Sequence, residues 1–316
     1  MNEVFELIAA RSAAGSRPGE RDDPFRVALG IEGGGNRAAY GAGMALALEE
    51  LSLVDAFDAI YGTSGGALNA AWLAAGQGQE YLTSWAWPEV AAARVNDTRR
   101  LLRGQPAVDL RVLVEHVYTA VTPMDFDAIL ANPISLHPLA TDTHSGEAVD
   151  LAPHITDRVS LQTALRASAC LPLLAGRPIP LGGGRYVDGG LSEAVPCLTP
   201  IAQGATHVLV LRTRPAGQHS RPSRVEQWAL AGYFRRHAPG AGRSHRARSA
   251  KYRSIDDLLD APSPGSGPRL AQIRPPADAP HVGRLSNDLA TIARAVEIGR
   301  QVAYAALPRL GAGGID

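Results

Sequence analysis

The chain has 316 residues, 45% hydrophobic and 20% charged, enough to bury a sizeable core as one large globular domain. Its 31 Lys and Arg balance 31 Asp and Glu, so net charge points to no polyanionic partner, and nucleic acid is not expected. Two cysteines, Cys170 and Cys197, supply no disulfide scaffold, and no run of about 18 apolar residues is present to span a membrane.

The first 24 residues lack a basic stretch followed by an apolar core and are broken by Gly, Pro and charge, so they read as a flexible segment and not as a secretory leader. The expected location is therefore cytoplasmic, with membrane contact only at a surface. Residues 25–316 then form the expected domain. A short apolar strand over Arg26–Ile31 ends in glycines, a helix of small residues covers Ala38–Leu51, a second strand covers Phe57–Tyr61, and a helix follows over Ala67–Ala75. Strand, glycine turn, helix, strand, sharp turn, helix is the order of an α/β fold with crossover helices on a parallel sheet.

Residues 78–130 favour helix, with one over Val108–Val121 and an aromatic patch at Tyr81, Trp85 and Trp87 that reads as core, an acyl-chain contact being the alternative. A third strand is expected over Ile134–Ala140, where Pro138 argues for an edge or a bulge. A helix over Leu161–Ser168, a Pro-rich loop and the run Gly182-Gly183-Gly184, expected as a flexible loop beside the site, precede Asp188. Thr206–Leu211 is a continuous apolar strand suited to a central parallel position. Arg212–Arg253 holds eleven Arg and Lys against the single acid Glu226, punctuated by Trp228, Tyr233 and Phe234. That segment, 212–255, reads as a basic mobile insertion, or more sharply as a surface that meets anionic lipid headgroups. It carries no nucleic-acid motif. Apolar residues at helical spacing over 285–307 predict a closing amphipathic helix docked on the core.

Three patterns carry chemistry. In Gly62-Thr63-Ser64-Gly65-Gly66 a serine sits in a sharp strand-to-helix turn whose neighbours are small, as close backbone approach demands, and the following helix points its N-terminus at developing negative charge. In Asp188-Gly189-Gly190 a carboxylate follows a strand into a tight turn, from which it could take the serine proton directly. A conventional triad would instead draw on Asp142 or Asp188 with His207 or His281. The run Glu32-Gly33-Gly34-Gly35-Asn36-Arg37 formally fits a dinucleotide turn ending at Ala38, with Glu50, Asp55 or Asp58 for a ribose, but it lacks the Gly-Lys-Ser/Thr ending of a phosphate loop. As successive amides at a strand-to-helix junction it also fits an oxyanion hole. Acyl transfer needs all three patterns, whereas dinucleotide binding needs one. Neither cysteine has a second ligand set for a metal, and both read as small buried hydrophobes.

These blocks, with Ala167-Ser168-Ala169-Cys170-Leu171-Pro172, occur in an order that resembles the patatin-like phospholipase family over about Val27–Leu211. The bias toward Ala, Gly, Arg and Pro suits a GC-rich bacterial source. The resemblance implies a three-layer α/β/α fold with a mostly parallel sheet and a cofactor-free, metal-free Ser-Asp dyad acting on acyl esters of phospholipid or lysophospholipid. Neutral acylglycerols or small esters, or lipid binding without turnover, are the alternatives. It implies Ser64 as nucleophile, Asp188 as base, amides of Gly33, Gly34 and Gly35 as oxyanion donors, and Arg37, Gly62, Gly65, Gly66, Gly189 and Gly190 as supports. Nothing after Leu211 matches a motif, which leaves headgroup preference and the acyl groove open.

Overall fold

The computed structural model describes residues 2–218, 224–261 and 267–307. One sheet of eight strands organises them: β1 (Val27–Ile31), β2 (Ala59–Thr63), β3 (Ser135–Asp142), β4 (Ala148–Asp150), β5 (Ile179–Leu181), β6 (Gly184–Asp188), β7 (His207–Leu211) and β8 (Arg269–Ile273), in the order β5-β6-β3-β2-β1-β7-β8 with β4 also paired to β3. The pairs among β3, β2, β1, β7 and β8 are parallel, and β4, β5 and β6 join antiparallel.

Alternation along the central strands divides the core. Val27, Leu29, Ile31, Ile60, Leu209 and Leu211 face one layer, and Ala28, Ala59, Tyr61, Val208 and Val210 face the other. Helices α1 (Glu3–Ala13), α2 (Ala39–Glu50), α3 (Gly65–Ala74), α4 (Gly78–Tyr81), α5 (Pro88–Ala92), α6 (Phe126–Ala131) and α7 (Arg158–Ser168) precede α8 (Leu198–Ala202), α9 (Arg224–His237), α10 (Pro239–Asp260) and α11 (Leu289–Ala306). Buried side chains of α1, α2, α3 and α11 fill the first layer, and Tyr252, Ile255 and Leu259 of α10 pack on the second face. This is a three-layer α/β/α fold. No described helix is long and apolar enough to cross a membrane.

Five expectations are corrected. The first 24 residues are not a loose tail: α1 starts at an Asn2 cap and buries Val4, Ile8 and Arg11, and Arg11 reaches Asp23 at 2.7 Å and Asp58 at 2.8 Å. The basic segment is not a mobile insertion in its described part, because it forms α9 and α10. Pro138 lies on an interior strand, where it faces Gly62 of β2, and its carbonyl accepts the Leu151 N–H at 3.0 Å. Gly182 and Gly183, with φ of 54° and 83°, are the two-residue turn of the β5–β6 hairpin, since such a turn needs positive φ at both positions. The predicted helix over Val108–Val121 is a π-helical segment, Val112–Val121.

Helices α2 and α11 touch through glycine. A Cβ on Gly43 would lie 1.8 Å from Val296 O, and one on Gly299 would lie 2.1 Å from Tyr40 O. Gly43→Ala is therefore expected to destabilise the protein by about 1–3 kcal/mol, the usual cost of overpacking. Gly232→Ala, on α9 with open space around it, should change stability by no more than about 1 kcal/mol, in the stabilising direction. Urea denaturation of the two variants measures the contrast.

Candidate active site

Parallel pairing carries the C-terminal ends of β1, β2 and β7 to one edge of the sheet, and the turns leaving them build the site. Ser64 follows β2 directly and has φ 56° and ψ −129°, a conformation costly for a residue with a side chain. It persists because its surroundings hold it. The Ser64 N–H donates to Ser168 Oγ at 3.0 Å, and that hydroxyl donates to Leu139 O at 2.6 Å. Helix α3 starts at the next residue and is buried along its whole length.

Register on β3 brings Asp188 to the same place, for Thr63 faces Leu139 and Asp188 faces Ala140. The Asp188 N–H donates to Cys170 O at 2.9 Å, and its carbonyl accepts from Thr141 Oγ1 at 2.8 Å. Its Oδ1 accepts the Gly190 N–H at 2.8 Å, while Oδ2 is buried with no hydrogen-bond partner. Burial raises the Asp188 pKa, and the neighbouring Ser64 hydroxyl, Gly190 N–H, Arg248 and Arg284 oppose that rise without cancelling it. Ser64 is thus a neighbour that favours the ionised carboxylate, and Oδ2 makes no hydrogen bond.

The glycine turn leaves β1 beside them. Gly35 has φ 57°, and a Cβ there would meet Arg284 O at 2.4 Å, so only glycine is accommodated. Among the described residues the Gly34 and Gly35 N–H groups have no backbone partner, whereas Gly33 donates its N–H to Ala194 O at 3.2 Å. Gly33 is therefore corrected from donor to spacer: it lets the turn pass against Thr63 and Ser64. Arg37 lies buried against Gly34, with Nε donating to Thr213 Oγ1 at 3.3 Å. Burial first, and repulsion from Arg214 second, push its pKa down to about 10. Gly62, Gly66 and Gly189 are points where backbone from a neighbouring element leaves no room for a Cβ, a Cβ on Gly65 would meet the Ala38 side chain at 2.7 Å, and Gly190 holds the Asp188 carboxylate.

Two cavities meet at Ser64. The larger, about 950 Å³ including its open mouth, is an apolar groove walled by Leu68, Trp85, Val108, Leu113, Leu285 and Ile292. Of the aromatic patch only Trp85 lines it, and Tyr81 packs instead on Trp72 and Trp87. The smaller cleft lies on the other side, against Arg37, Asp188, Arg248 and Arg284. His207 sits at the opposite end of the sheet, where it faces the first residue of β1, and His281 is exposed and lines neither cavity. Of the acids weighed for a ribose, Asp58 is bound by Arg11 and Arg21, and Glu50 is bound by Arg300. Asp142 closes its own turn through the Ser145 N–H. Both cysteines are buried and free, and no group of three His, Cys, Asp or Glu suited to a metal occurs among the described residues.

The sequence reading missed Glu32, Ser168, Arg248 and Arg284. Glu32 is buried and accepts from Arg212 Nε at 3.0 Å, the Thr213 N–H at 2.8 Å and Tyr252 OH at 2.7 Å. Burial works against its ionisation, but Arg212, Arg37 and Arg214 outweigh it and hold the pKa below the ordinary 4.5. Its place just ahead of the glycine run was the available signal. Arg248 donates from Nε to Gly190 O at 2.6 Å, and nothing local in the sequence marks it.

A strained serine at a strand-to-helix turn, a buried aspartate beside it and a glycine turn whose amides have no backbone partner thus lie together at the edge of a parallel sheet. The patatin-like phospholipase family model matches residues 29–201, and the chain belongs to that family. It is 28% identical over 268 residues to the uncharacterized protein YjjU of Escherichia coli K12, which covers 80% of this chain and 69% of YjjU. Among solved structures it is similar to VipD from Legionella pneumophila, with a TM-score of 0.44 and 12% identity over 90% of this chain and 66% of VipD. It is also similar to human GIVD cytosolic phospholipase A2 in complex with methyl gamma-linolenyl fluorophosphonate, with a TM-score of 0.44 and 16% identity over 96% of this chain and 62% of that one. The chain spans less than two thirds of either solved chain.

Removing the Glu32 charge should be costly. Glu32→Gln is expected to lower stability by about 3–5 kcal/mol at neutral pH, because it leaves Arg212 underneutralised in the interior. Since the folded pKa is depressed, the native contribution is complete above 4.5 and is lost as pH falls below it. Urea titrations should therefore find the gap between native and variant narrowing under acid conditions.

Proposed function

We propose that the protein is a lipid acyl hydrolase that releases fatty acid from phospholipid or lysophospholipid, with Ser64 as nucleophile and Asp188 as its base. The observation that carries this reading is the meeting at Ser64 of a carboxylate with a free oxygen, two free amide donors and an apolar groove. The acyl chain lies in the groove, which brings the ester carbonyl to Ser64 Oγ. Asp188 takes the hydroxyl proton as Oγ attacks. The oxyanion rests on the Gly34 and Gly35 amides, with the N-terminus of α3 adding favourable potential. The alcohol leaves with the proton, and a water activated by Asp188 then frees the fatty acid. The scheme calls on no cofactor and no histidine.

The outer faces of α9 and α10 expose Arg235, Arg236, Arg243, Arg246 and Arg253, and Trp228 is 81% exposed. This supports a peripheral contact with an anionic membrane surface. Co-sedimentation with liposomes should be stronger when they contain anionic lipid, and indifference to lipid charge would remove the contact from the proposal.

Release assays over phospholipid, lysophospholipid, neutral acylglycerol and short esters test the chemistry. Ser64→Ala and Asp188→Asn should each reduce turnover by about 10³-fold or more while leaving the protein folded. Substantial activity in either variant overturns the dyad, and loss in a folded His207→Ala or His281→Ala protein would require a triad. Because the base must be ionised and burial raises its pKa, the rate should fall with decreasing pH at values above the ordinary aspartate 3.8.

A further inference from the structure

We propose that Ser135 is a second nucleophile of this protein, activated by His137 and Asp150 at the opposite end of the sheet from Ser64, and that small water-soluble esters acylate it. This site shares no residue with the one at Ser64 and does not depend on the acyl-hydrolase reading.

Ser135 and His137 are two residues apart on β3, so their side chains share one face of the sheet. His137 Nε2 lies 2.7 Å from Ser135 Oγ, and His137 Nδ1 lies 2.7 Å from Asp150 Oδ2 on β4. Hydroxyl, imidazole and carboxylate thus form one chain of hydrogen bonds in the order that a nucleophilic triad requires. Ser135 pairs with Ala59, the first residue of β2, whereas Ser64 follows the last one.

The proton positions follow from the acid. Burial works against a charge on Asp150, but His137, Gln203 and the Ala152 N–H outweigh it and hold the pKa below the ordinary 3.8. An ionised carboxylate only accepts, so His137 Nδ1 carries a proton. In the neutral ring Nε2 is then the acceptor, and the Ser135 hydroxyl donates to it. Asp58 O, the other acceptor near that hydroxyl, is 3.5 Å away and competes weakly. The ring is fixed by Tyr61, on which it stacks with centroids 4.3 Å apart and planes 15° from parallel. Gln203 braces both, donating to Asp150 Oδ2 at 3.0 Å and accepting from Tyr61 OH at 2.6 Å.

Access is graded along the chain. His137 is buried, while Ser135 is half-buried and lines an open depression of about 660 Å³ including its mouth, beside Arg21, Phe25, Arg26 and Asp58. Three charged side chains in that wall suit a short polar ester and not a long acyl chain. The Ser135 N–H is taken by Asp58 O at 3.3 Å, so it offers no oxyanion donor, and the acceleration expected is that of a positioned base, about 10²–10⁴-fold. In the step, Ser135 Oγ bonds the ester carbonyl carbon as its proton passes to His137 Nε2. The ester C–O bond then breaks and the alcohol leaves with that proton, which gives acyl-Ser135 and a neutral imidazole. Asp150 stays ionised and stabilises the imidazolium in between.

The competing role for these residues is a brace that ties β3 to β4, and a brace does not make Ser135 reactive. The test treats Ser64→Ala with diisopropyl fluorophosphate, which transfers its phosphoryl group to an activated serine as fluoride leaves. Mass spectrometry should find one adduct, on Ser135, formed about 10²-fold faster in folded protein than in urea. Adding His137→Gln or Asp150→Asn, in proteins shown folded by circular dichroism, should slow that labelling by about 10²-fold. Hydrolysis of nitrophenyl acetate by Ser64→Ala should fall to a similar extent when Ser135→Ala is added. No adduct on Ser135, labelling as fast in urea or in folded His137→Gln, or nitrophenyl acetate turnover indifferent to Ser135→Ala overturns the proposal. If neither the His137 nor the Asp150 variant folds, the comparison of folded with urea-treated Ser64→Ala decides by itself.

Discussion

The site depends on a buried carboxylate other than that of Asp188. Glu32 directly follows β1 and is buried where the chain turns toward the glycines. Its two oxygens bind two other pieces of chain: the Arg212 side chain and Thr213 N–H that follow β7, and Tyr252 of α10. A buried charge with one partner is a poor bargain with water, but this one accepts three hydrogen bonds, and its partner Arg212 is bound in turn by Asp256, Gln272 and Tyr252. The result is a fixed floor under the Gly34 and Gly35 amides. Thr213 extends it, donating to Gly33 O at 3.0 Å and accepting from Arg37.

Against that floor the sheet register sets Ser64 and Asp188 side by side. Ser64 and Asp188 come from segments more than 120 residues apart, yet β3 receives the ends of both β2 and β6 at consecutive positions, Leu139 and Ala140. Ser168, at the end of α7, then bonds both the Ser64 amide and the Leu139 carbonyl, and Cys170 two residues later bonds the Asp188 amide. One helix terminus thus supports the strained turn and the carboxylate together. Strain at Ser64 is tolerable because these bonds would be lost if the turn relaxed.

Much of this was legible because it is local. The apolar strands over 26–31 and 206–211, the glycine turns that punctuate them and the small-residue helices after each turn follow from pattern and spacing, and so does the placing of a serine at a turn. What escaped is carried by long-range contacts. The inner face of α10 begins with Gly240, Ala241, Gly242 and Ser244, too small and too polar to register as an apolar stripe, so its arginines read as solvated. The partner of Arg248, Gly190, lies far away in sequence, and so does Glu32, the partner of Arg212. Helix α1 was misread for a related reason: a short stripe of Val4, Ile8 and Arg11 gains meaning only from Asp23 and Asp58, which complete it. For the glycine run, sequence alone gave three equivalent amides, and only the Ala194 carbonyl separates Gly33 from the other two.

The arginines that escaped notice also bear on the base. Burial alone would leave Asp188 protonated over more of the pH range, and a protonated acid cannot accept the serine proton. Arg248 and Arg284 pull in the other direction, as does the Gly190 N–H, and Arg248 fixes that loop through the Gly190 carbonyl. Too strong a pull would make the carboxylate a weak base, and too little would keep it neutral. A raised pKa opposed by cations at the rim is a compromise between those limits.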